Sequence, residues 1–139
     1  MKITNMELVN MSNTIGKYID KKLPQKISYA ITKNYMKISS EYQAYDDGLK
    51  KLFSSFEEHI KKDDKGNWKY HNNGVPIVDD EVADDFNKEL SDLLNIVIDI
   101  DLYFIDESAF DYEDKDIYDA LSAKDIIVLQ SILCKHNNK

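Results

Sequence analysis

The segment from Lys22 to Ile38, "KLPQKISYAITKNYMKI", decides the predicted fold because it opens a long amphipathic helix. Pro24 suits the first turn of a helix, where its missing N–H would have had no partner. From Ile31 onward, apolar side chains recur at steps of three or four residues. This stripe consists of Ile31, Tyr35, Ile38, Tyr42, Tyr45, Leu49, Leu52, Phe56 and Ile60. The pattern predicts a helix of about 36 residues, which would be ~55 Å long.

A shorter helix is predicted before this segment. Thr4 and Glu7 have the spacing of a capping box, in which each side chain accepts a hydrogen bond from the backbone N–H of the other residue. Leu8, Met11 and Ile15 then follow at helical spacing. Because the residue before a proline disfavours helical geometry, this helix should end in the turn that precedes the proline. We therefore expect the two helices to form an antiparallel hairpin.

The first helix is too short to cover the second along its whole length. The distal half of the long helix, from Tyr42 to Ile60, needs a cover either from later elements of the same chain or from another molecule. We predict a candidate oligomer seam in this half, made of Tyr45, Leu49, Leu52 and Phe56. Gly48 lies inside the helix, where glycine costs about 1 kcal/mol relative to alanine, and it predicts a kink or a close packing contact.

A β-hairpin and a third helix are predicted after the long helix. Residues 63–78, "DDKGNWKYHNNGVPIV", contain two glycine turn signals and an Asn-Asn-Gly turn typical of hairpins. Pro76 cannot donate a ladder hydrogen bond, so its strand should be an edge strand. Asp79 or Asp80 can cap the following helix, which Asn95 would close. Its apolar stripe is Val82, Phe86, Leu90, Leu93 and Leu94.

A strand and a last helix complete the predicted elements. "IVIDIDLYFID", residues 96–106, alternates with period two, which is typical of a half-buried strand. The apolar face would hold Ile96, Ile98, Ile100, Leu102 and Phe104, and the polar face Asp99, Asp101 and Tyr103. Ser122 and Asp125 have capping-box spacing before a final short helix.

The predicted fold class is α+β. We expect a long antiparallel helical hairpin followed by a small antiparallel sheet, made of the hairpin plus one strand, with two further helices. Residues 1–139 should form a single domain, with residues 1–62 as the helical hairpin and residues 63–139 as the acidic α+β part.

The charge distribution is the clearest indication of a partner. All 18 basic residues are Lys, which weakens mechanisms that need the planar guanidinium fork of Arg. Residues 1–62 hold 11 Lys against 7 acids, a net of +4, whereas residues 63–139 hold 7 Lys against 19 acids, a net of −12. Such asymmetry bears on association with partners rather than on fold.

A candidate partner-binding acidic patch lies after the predicted strand. Its members are Asp106, Glu107, Asp111, Glu113, Asp114, Asp116 and Asp119. A dense array of carboxylates can imitate the negative charge of a nucleic-acid backbone and occupy a channel lined by Lys and Arg. The alternative is a solvated acidic face that only aids solubility.

Catalytic signatures are absent from the sequence. Cys134 is the single cysteine, and His59, His71 and His136 are scattered, so neither a conventional zinc site nor a nucleophile–base pair is indicated. Asp99 and Asp101 would share a strand face and could bind Mg²⁺ or Ca²⁺, but a polar strand face turned to water is the favoured explanation. We therefore predict a non-enzymatic protein with no catalytic, cofactor-binding or metal-binding residues.

Four stretches carry a resemblance to a known family: "MKITNMELVN", "KLPQKISYAITKN", "FNKELSDLLNIVIDIDLYFI" and "LSAKDIIVLQSIL". The chain resembles a family of small proteins of unknown function encoded by phages and prophages of low-GC Gram-positive bacteria. The resemblance covers most of the chain and is weakest at residues 106–119. It implies a phage or prophage origin and an accessory role, and it transfers no catalytic residues.

Three functions remain open on these grounds. The first is an antagonist of a host defence or nucleic-acid-binding protein, such as a nuclease or CRISPR effector, acting through the acidic patch. The second is a structural accessory for tail or head assembly, with the oligomer seam as its contact. The third is a metal-dependent enzyme using Asp99 and Asp101. We expect a protein partner from host or phage, no direct contact with nucleic acid or membrane, and a location in the host cytoplasm or on the virion.

Overall fold

The computed structural model describes residues 1–135. Its strands and α-helices are, in chain order, β1 (Lys2–Thr4), α1 (Asn5–Gly16), α2 (Gln25–Ser55), α3 (Ala83–Leu94), β2 (Val97–Asp99) and α4 (Ala123–Leu133). Short 3₁₀ helices occupy Glu57–His59, Asp80–Val82 and Glu107–Phe110. The predicted α+β class is confirmed.

Both predicted capping boxes are present. At the start of α1 the Thr4 hydroxyl accepts from the Glu7 N–H at 3.2 Å, and the Glu7 carboxylate accepts from the Thr4 N–H at 3.2 Å. At the start of α4 the Ser122 hydroxyl accepts from the Asp125 N–H at 3.1 Å, and the Asp125 carboxylate accepts from the Ser122 N–H at 3.0 Å. These bonds satisfy donors that a helix start leaves without partners, and so they place both helix starts.

The long helix α2 begins directly after Pro24, whose carbonyl accepts from the N–H groups of Ile27 and Ser28, each at 3.0 Å. It has 31 residues, a length of ~46 Å, which is shorter than predicted. The chain leaves the α-helical path after Ser55, passes through the 3₁₀ helix Glu57–His59 and is extended at Ile60. The antiparallel hairpin arrangement of α1 and α2 stays a prediction.

The sheet has two antiparallel strands, not the predicted hairpin plus one strand. β1 pairs with β2 in the register Lys2↔Asp99, Ile3↔Ile98 and Thr4↔Val97. The predicted strand 96–106 forms a strand only over Val97–Asp99, where its partner is the chain's N-terminal segment, and Ile105 makes an isolated parallel bridge to Cys134. Three-residue β1 has no alternation that would reveal it, and it becomes a strand only through pairing with β2.

The predicted β-hairpin after α2 is a set of isolated bridges rather than a pair of continuous strands. Three backbone segments exchange hydrogen bonds in a closed ring. Lys69 N–H donates to Lys61 O at 2.8 Å, Lys61 N–H to Ile77 O at 2.8 Å, and Ile77 N–H to Lys69 O at 2.9 Å. Gly66 and Gly74 make the intervening turns at φ of 83° and 84°, a region that other residues rarely adopt.

The chain forms two compact units, and we name them by their position in the sequence. The core unit comprises residues 1–42 and the described residues from Val97 onward, and the inserted unit comprises Gln43–Ile96. One unit boundary falls within α2, whereas the sequence-based division was placed after residue 62. The prediction of a single domain stays a prediction.

The core unit is organised around the first half of α2. Its buried apolar side chains form one cluster of Ile3, Leu8, Ile15, Tyr18, Leu23, Ile27, Ala30, Ile31, Ile38, Ile100, Leu102, Phe110, Leu129, Ile132, Leu133 and Cys134. Asn34 of α2 is fully buried among them. Its side-chain amide donates to Tyr103 O at 2.8 Å and accepts from Tyr103 N–H at 2.7 Å. This pair of bonds satisfies the backbone of a segment that has no strand partner there.

The inserted unit is organised around Phe86 of α3, which is 1% exposed. Phe53 packs on its ring with 6.1 Å between centroids, and Phe56 meets it edge-on at 5.2 Å. Gly48 faces Leu93, and a Cβ at Gly48 would lie 3.2 Å from a terminal carbon of that leucine. The glycine therefore marks a close packing contact between α2 and α3.

Candidate interaction surface

The predicted acidic patch begins at a segment whose first residue has a structural role. The Asp106 carboxylate caps the 3₁₀ helix Glu107–Phe110 by accepting from the Ser108 N–H at 2.9 Å. This hydrogen bond lowers the pKa of Asp106. Phe110, at the end of the short helix, is buried in the cluster of the core unit. The segment is thus fixed at its start.

The other end of the segment is fixed by Asp119. Its carboxylate accepts from the Lys22 N–H at 2.7 Å, and its own N–H donates to the Lys22 carbonyl at 2.7 Å. Two hydrogen bonds therefore tie residue 119 to the turn between α1 and α2. Asp119 is accordingly half-buried, unlike the other predicted members of the patch, which are exposed.

Two tyrosine rings hold the middle of the segment. Tyr112 and Tyr118 meet edge to face with 5.6 Å between ring centroids. Tyr112 also packs against the buried cluster. Burial raises the pKa of Tyr112, with smaller contributions from Asp114 and Tyr118. The ring contact closes the segment into a loop between its two fixed ends.

This arrangement presents four carboxylates to solvent: Asp111, Glu113, Asp114 and Asp116. We call residues 111–116 the acidic loop. None of the four carboxylates makes a hydrogen bond or an ion pair within residues 1–135. Lys115 is the single cation of the loop sequence. The structure therefore separates the predicted patch into Asp106 and Asp119, which hold the backbone, and a cluster of carboxylates free to meet a partner, with Glu107 exposed beside them.

The residues of the predicted oligomer seam do not form an open surface. Tyr45 is buried, and Leu49, Leu52 and Phe56 are half-buried. Phe56 packs on Phe86 of α3, as described above. In the inserted unit, α3 therefore covers this part of α2. Of the two covers considered for the distal half of the long helix, this is the one supplied by the same chain. Oligomerisation itself stays a prediction.

Asp99 of β2 and Asp101, which lies beyond the end of that strand, are both exposed. The Asp99 carboxylate is 3.0 Å from the N-terminal ammonium. The backbone oxygen of Asp101 accepts from the Lys37 ammonium at 2.6 Å. Neither residue belongs to a group of three ligating side chains among the described residues. The group that does meet this geometry is His59, Asp79 and Glu81, whose ligand atoms lie within 4.8 Å of one another.

The remaining titratable residues named from the sequence are dispersed. His71 is exposed in the turns of the inserted unit, and His136 lies outside the described residues. Cys134 is buried at the end of α4. Burial raises the pKa of its thiol, with further contributions from Glu107 and Asp106. A thiol with a raised pKa is a poor nucleophile, so Cys134 acts as a small buried side chain.

An exposed aromatic groove, which was not predicted from the sequence, lies beside Tyr29 of α2. Tyr29 is 54% exposed and meets Tyr103 edge to face at 5.5 Å. The Lys33 ammonium lies 5.6 Å and 5.0 Å from the two ring centroids. The groove beside the two rings has a volume of about 550 Å³. Tyr29 does not belong to the apolar stripe that begins at Ile31, and this was the signal in the sequence that its ring is exposed.

Comparison of the chain with protein-family models, with curated proteins and with solved structures finds no match. Within residues 1–135, none of the helices combines the length with the apolar composition that a membrane span needs.

Proposed function

We propose that the protein is a non-enzymatic interaction protein whose acidic loop binds a basic, nucleic-acid-binding protein. The observation that carries the proposal is the loop: four exposed carboxylates without intramolecular partners, on a backbone fixed at both ends. An exposed charge that makes no internal ion pair has no partner to give up when it binds. A fixed loop also loses little conformational freedom on binding, which favours affinity.

The charge of the loop indicates the class of partner. Proteins that bind nucleic acid carry Lys and Arg spaced to neutralise successive phosphates. Closely spaced carboxylates can occupy the same positions and exclude the nucleic acid. The resemblance to phage and prophage proteins supports a host defence protein, such as a nuclease, as the target, so the protein would act as its competitive antagonist in the host cytoplasm.

The proposal is tested with a quadruple neutral variant, Asp111→Asn, Glu113→Gln, Asp114→Asn and Asp116→Asn. These substitutions keep side-chain volume and remove four charges. Exposed ion pairs contribute about 0.2–1 kcal/mol each, so the loss of four should weaken binding by a factor between about four and about a thousand. The partner is captured from a low-GC Gram-positive host extract, identified by mass spectrometry, and its affinity is then measured with purified components at low and high salt.

A matched control removes four exposed charges elsewhere, through Asp64→Asn, Asp84→Asn, Asp85→Asn and Glu89→Gln. The control should retain the partner, and duplex DNA should compete with the wild-type protein for it. Equal loss of binding in both variants would indicate a general effect of net charge and contradict a specific role of the loop. Retention by the quadruple variant, or binding that does not weaken with salt, would disprove the proposal.

A further inference from the structure

His59, Asp79 and Glu81 come together in the inserted unit although at least 20 residues separate the histidine from the two acids. His59 ends the 3₁₀ helix Glu57–His59, and Asp79 directly precedes the 3₁₀ helix that contains Glu81. The Asp79 N–H donates to the His59 carbonyl at 2.8 Å. This backbone hydrogen bond holds the two chain segments side by side, so the three side chains project from neighbouring parts of the backbone.

The distances within the cluster suit a shared ion better than a direct hydrogen bond. His59 Nδ1 lies 3.8 Å from Asp79 Oδ2 and 3.7 Å from Glu81 Oε1. A hydrogen bond between nitrogen and oxygen would require about 2.7–3.2 Å. Ligands placed tetrahedrally at ~2.0–2.1 Å from a zinc ion are about 3.3–3.4 Å apart. Shifts of a few tenths of an ångström would therefore bring both histidine–carboxylate distances to this value, and all three ligand atoms already lie within 4.8 Å of one another.

The orientation of Asp79 is not explained by local helix capping. Asp79 occupies the N-cap position of a 3₁₀ helix, where an aspartate side chain commonly accepts from a backbone N–H. Here its side chain makes no capping hydrogen bond, and its carboxylate is directed to His59 instead. Two carboxylates beside one imidazole repel each other, and a cation bound between them would offset this repulsion.

We propose that His59, Asp79 and Glu81 bind a divalent transition-metal ion of the Zn²⁺ type. Imidazole nitrogens and carboxylate oxygens are both ligands that zinc uses, whereas Mg²⁺ and Ca²⁺ prefer oxygen ligands alone. The three side chains are partly exposed, at 40%, 45% and 74%, so an ion can reach them from solvent. Three protein ligands leave a coordination position for water or for a group of a partner.

The ion would also act on the inserted unit itself. His59 and Asp79 bracket residues 60–78, the segment of the hydrogen-bond ring, most of which is exposed. An ion that binds only the folded unit stabilises it in proportion to the logarithm of its concentration over its Kd. Val78 and Asp80, the neighbours of Asp79, line an open groove of about 660 Å³. The ion would therefore lie beside space that a ligand can enter.

The test is calorimetric titration of the full chain with ZnCl₂ and, separately, MgCl₂. We expect one saturable Zn²⁺ site and no comparable Mg²⁺ binding. His59→Gln should weaken Zn²⁺ binding at least ~10-fold, since loss of even an outer-shell partner of a metal has that effect. His71→Gln is the matched control, because it removes another histidine of the same unit, and it should bind as the wild type does.

Nuclear magnetic resonance locates the ion independently of affinity. Zn²⁺ should shift the signals of the His59 ring and of the amides of Asp79 and Glu81 in the wild-type protein. Circular dichroism of the metal-free His59→Gln variant establishes that it is folded, and Glu81→Gln provides a second variant on a more exposed residue. The proposal is overturned if Zn²⁺ shows no saturable binding, if His59→Gln binds like the wild type, or if the shifted signals belong to His71 instead.

Discussion

The core unit and the inserted unit bury their side chains in different ways. In the core unit, apolar residues from α1, α2, α4 and the strand region interlock in one cluster. In the inserted unit, burial is concentrated on few residues, among them Tyr45, Ile60, Pro76 and Phe86. A broad core spreads its free energy over many contacts, whereas a small one depends on single side chains.

The difference also bears on the two proposed sites. The acidic loop lies on the core unit, where Phe110 and Tyr112 join it to the cluster. The His59 cluster lies on the inserted unit, next to exposed turns that backbone hydrogen bonds hold together. A surface that binds a partner benefits from a fixed backbone. A metal site can itself stabilise a unit that has few buried side chains.

Among the variants that test this contrast between the two units, Phe86→Ala should change stability the most. Removing a buried phenylalanine ring usually costs about 3–5 kcal/mol, and here it would also leave the rings of Phe53 and Phe56 without their partner. Hydrogen exchange should show loss of protection within residues 43–96. Leu8→Ala in the core unit is the comparison, and it should lower protection in residues 1–42 and 97–135. Equal loss in both units from either variant would remove the contrast between them.

Asn34→Ala should have the next largest effect, about 2–3 kcal/mol, because it leaves the N–H and C=O of Tyr103 without their buried partners. Denaturant unfolding followed by circular dichroism measures the change. Asn13→Ala, on the exposed side of α1, is the matched control and should change stability by less than about 0.5 kcal/mol. Similar stability of the two variants would show that the paired amide bonds contribute little to the core unit.

Gly74→Ala should destabilise the turn of the inserted unit by about 1–2 kcal/mol, because alanine at positive φ brings its Cβ against the backbone. Apart from the glycine and its two chain neighbours, no atom lies within 4 Å of a Cβ at this position, so crowding by other residues does not contribute. Gly74→Asn should cost less, since asparagine tolerates this conformation better. Thermal unfolding separates the two variants, and equal melting temperatures would indicate that the turn has relaxed to negative φ.

The smallest effect expected is a pH dependence at Asp125 in the core unit. The Ser122 N–H and the Tyr18 hydroxyl lower the pKa of the Asp125 carboxyl in the folded protein. Its stabilising contribution is therefore present above the unfolded pKa, about 3.9, and is lost as the pH falls through the lower folded value. The stability difference between wild type and Asp125→Asn should be constant from neutral to weakly acidic pH and shrink below about pH 4.

Asp20→Asn is the control for this titration, because the Asp20 carboxylate is exposed and makes no hydrogen bond within residues 1–135. Denaturant unfolding at a series of pH values should show no comparable change with this variant. A stability difference for Asp125→Asn that stays constant down to the lowest pH would contradict the role of the ionised carboxylate.

Local features were predictable from the sequence because their causes act over three or four residues. The Thr4 and Ser122 capping boxes, the start of α2 after Pro24 and the exposure of Asp111–Asp116 all follow from neighbours along the chain. Interactions between distant residues were not predictable. The helical pattern around Asn34 did not indicate that this side chain is buried and bonds the backbone of Tyr103. A separation of 20 residues likewise did not indicate that His59 and Asp79 meet.

The amino-acid sequence by itself determined the class of fold, the starts of α1, α2 and α4, and the sign of the charge on the region after β2. The predicted start of α3 was wrong, because this helix begins at Ala83 without a side-chain cap from Asp79 or Asp80. Tertiary structure alone decided that residues 2–4 become a strand, that α3 covers part of α2, and which carboxylates hold the backbone and which face solvent. The physical reason is that capping, periodicity and charge are set by near neighbours. Strand pairing and side-chain clusters depend on packing between distant segments, whose free energy no local pattern records.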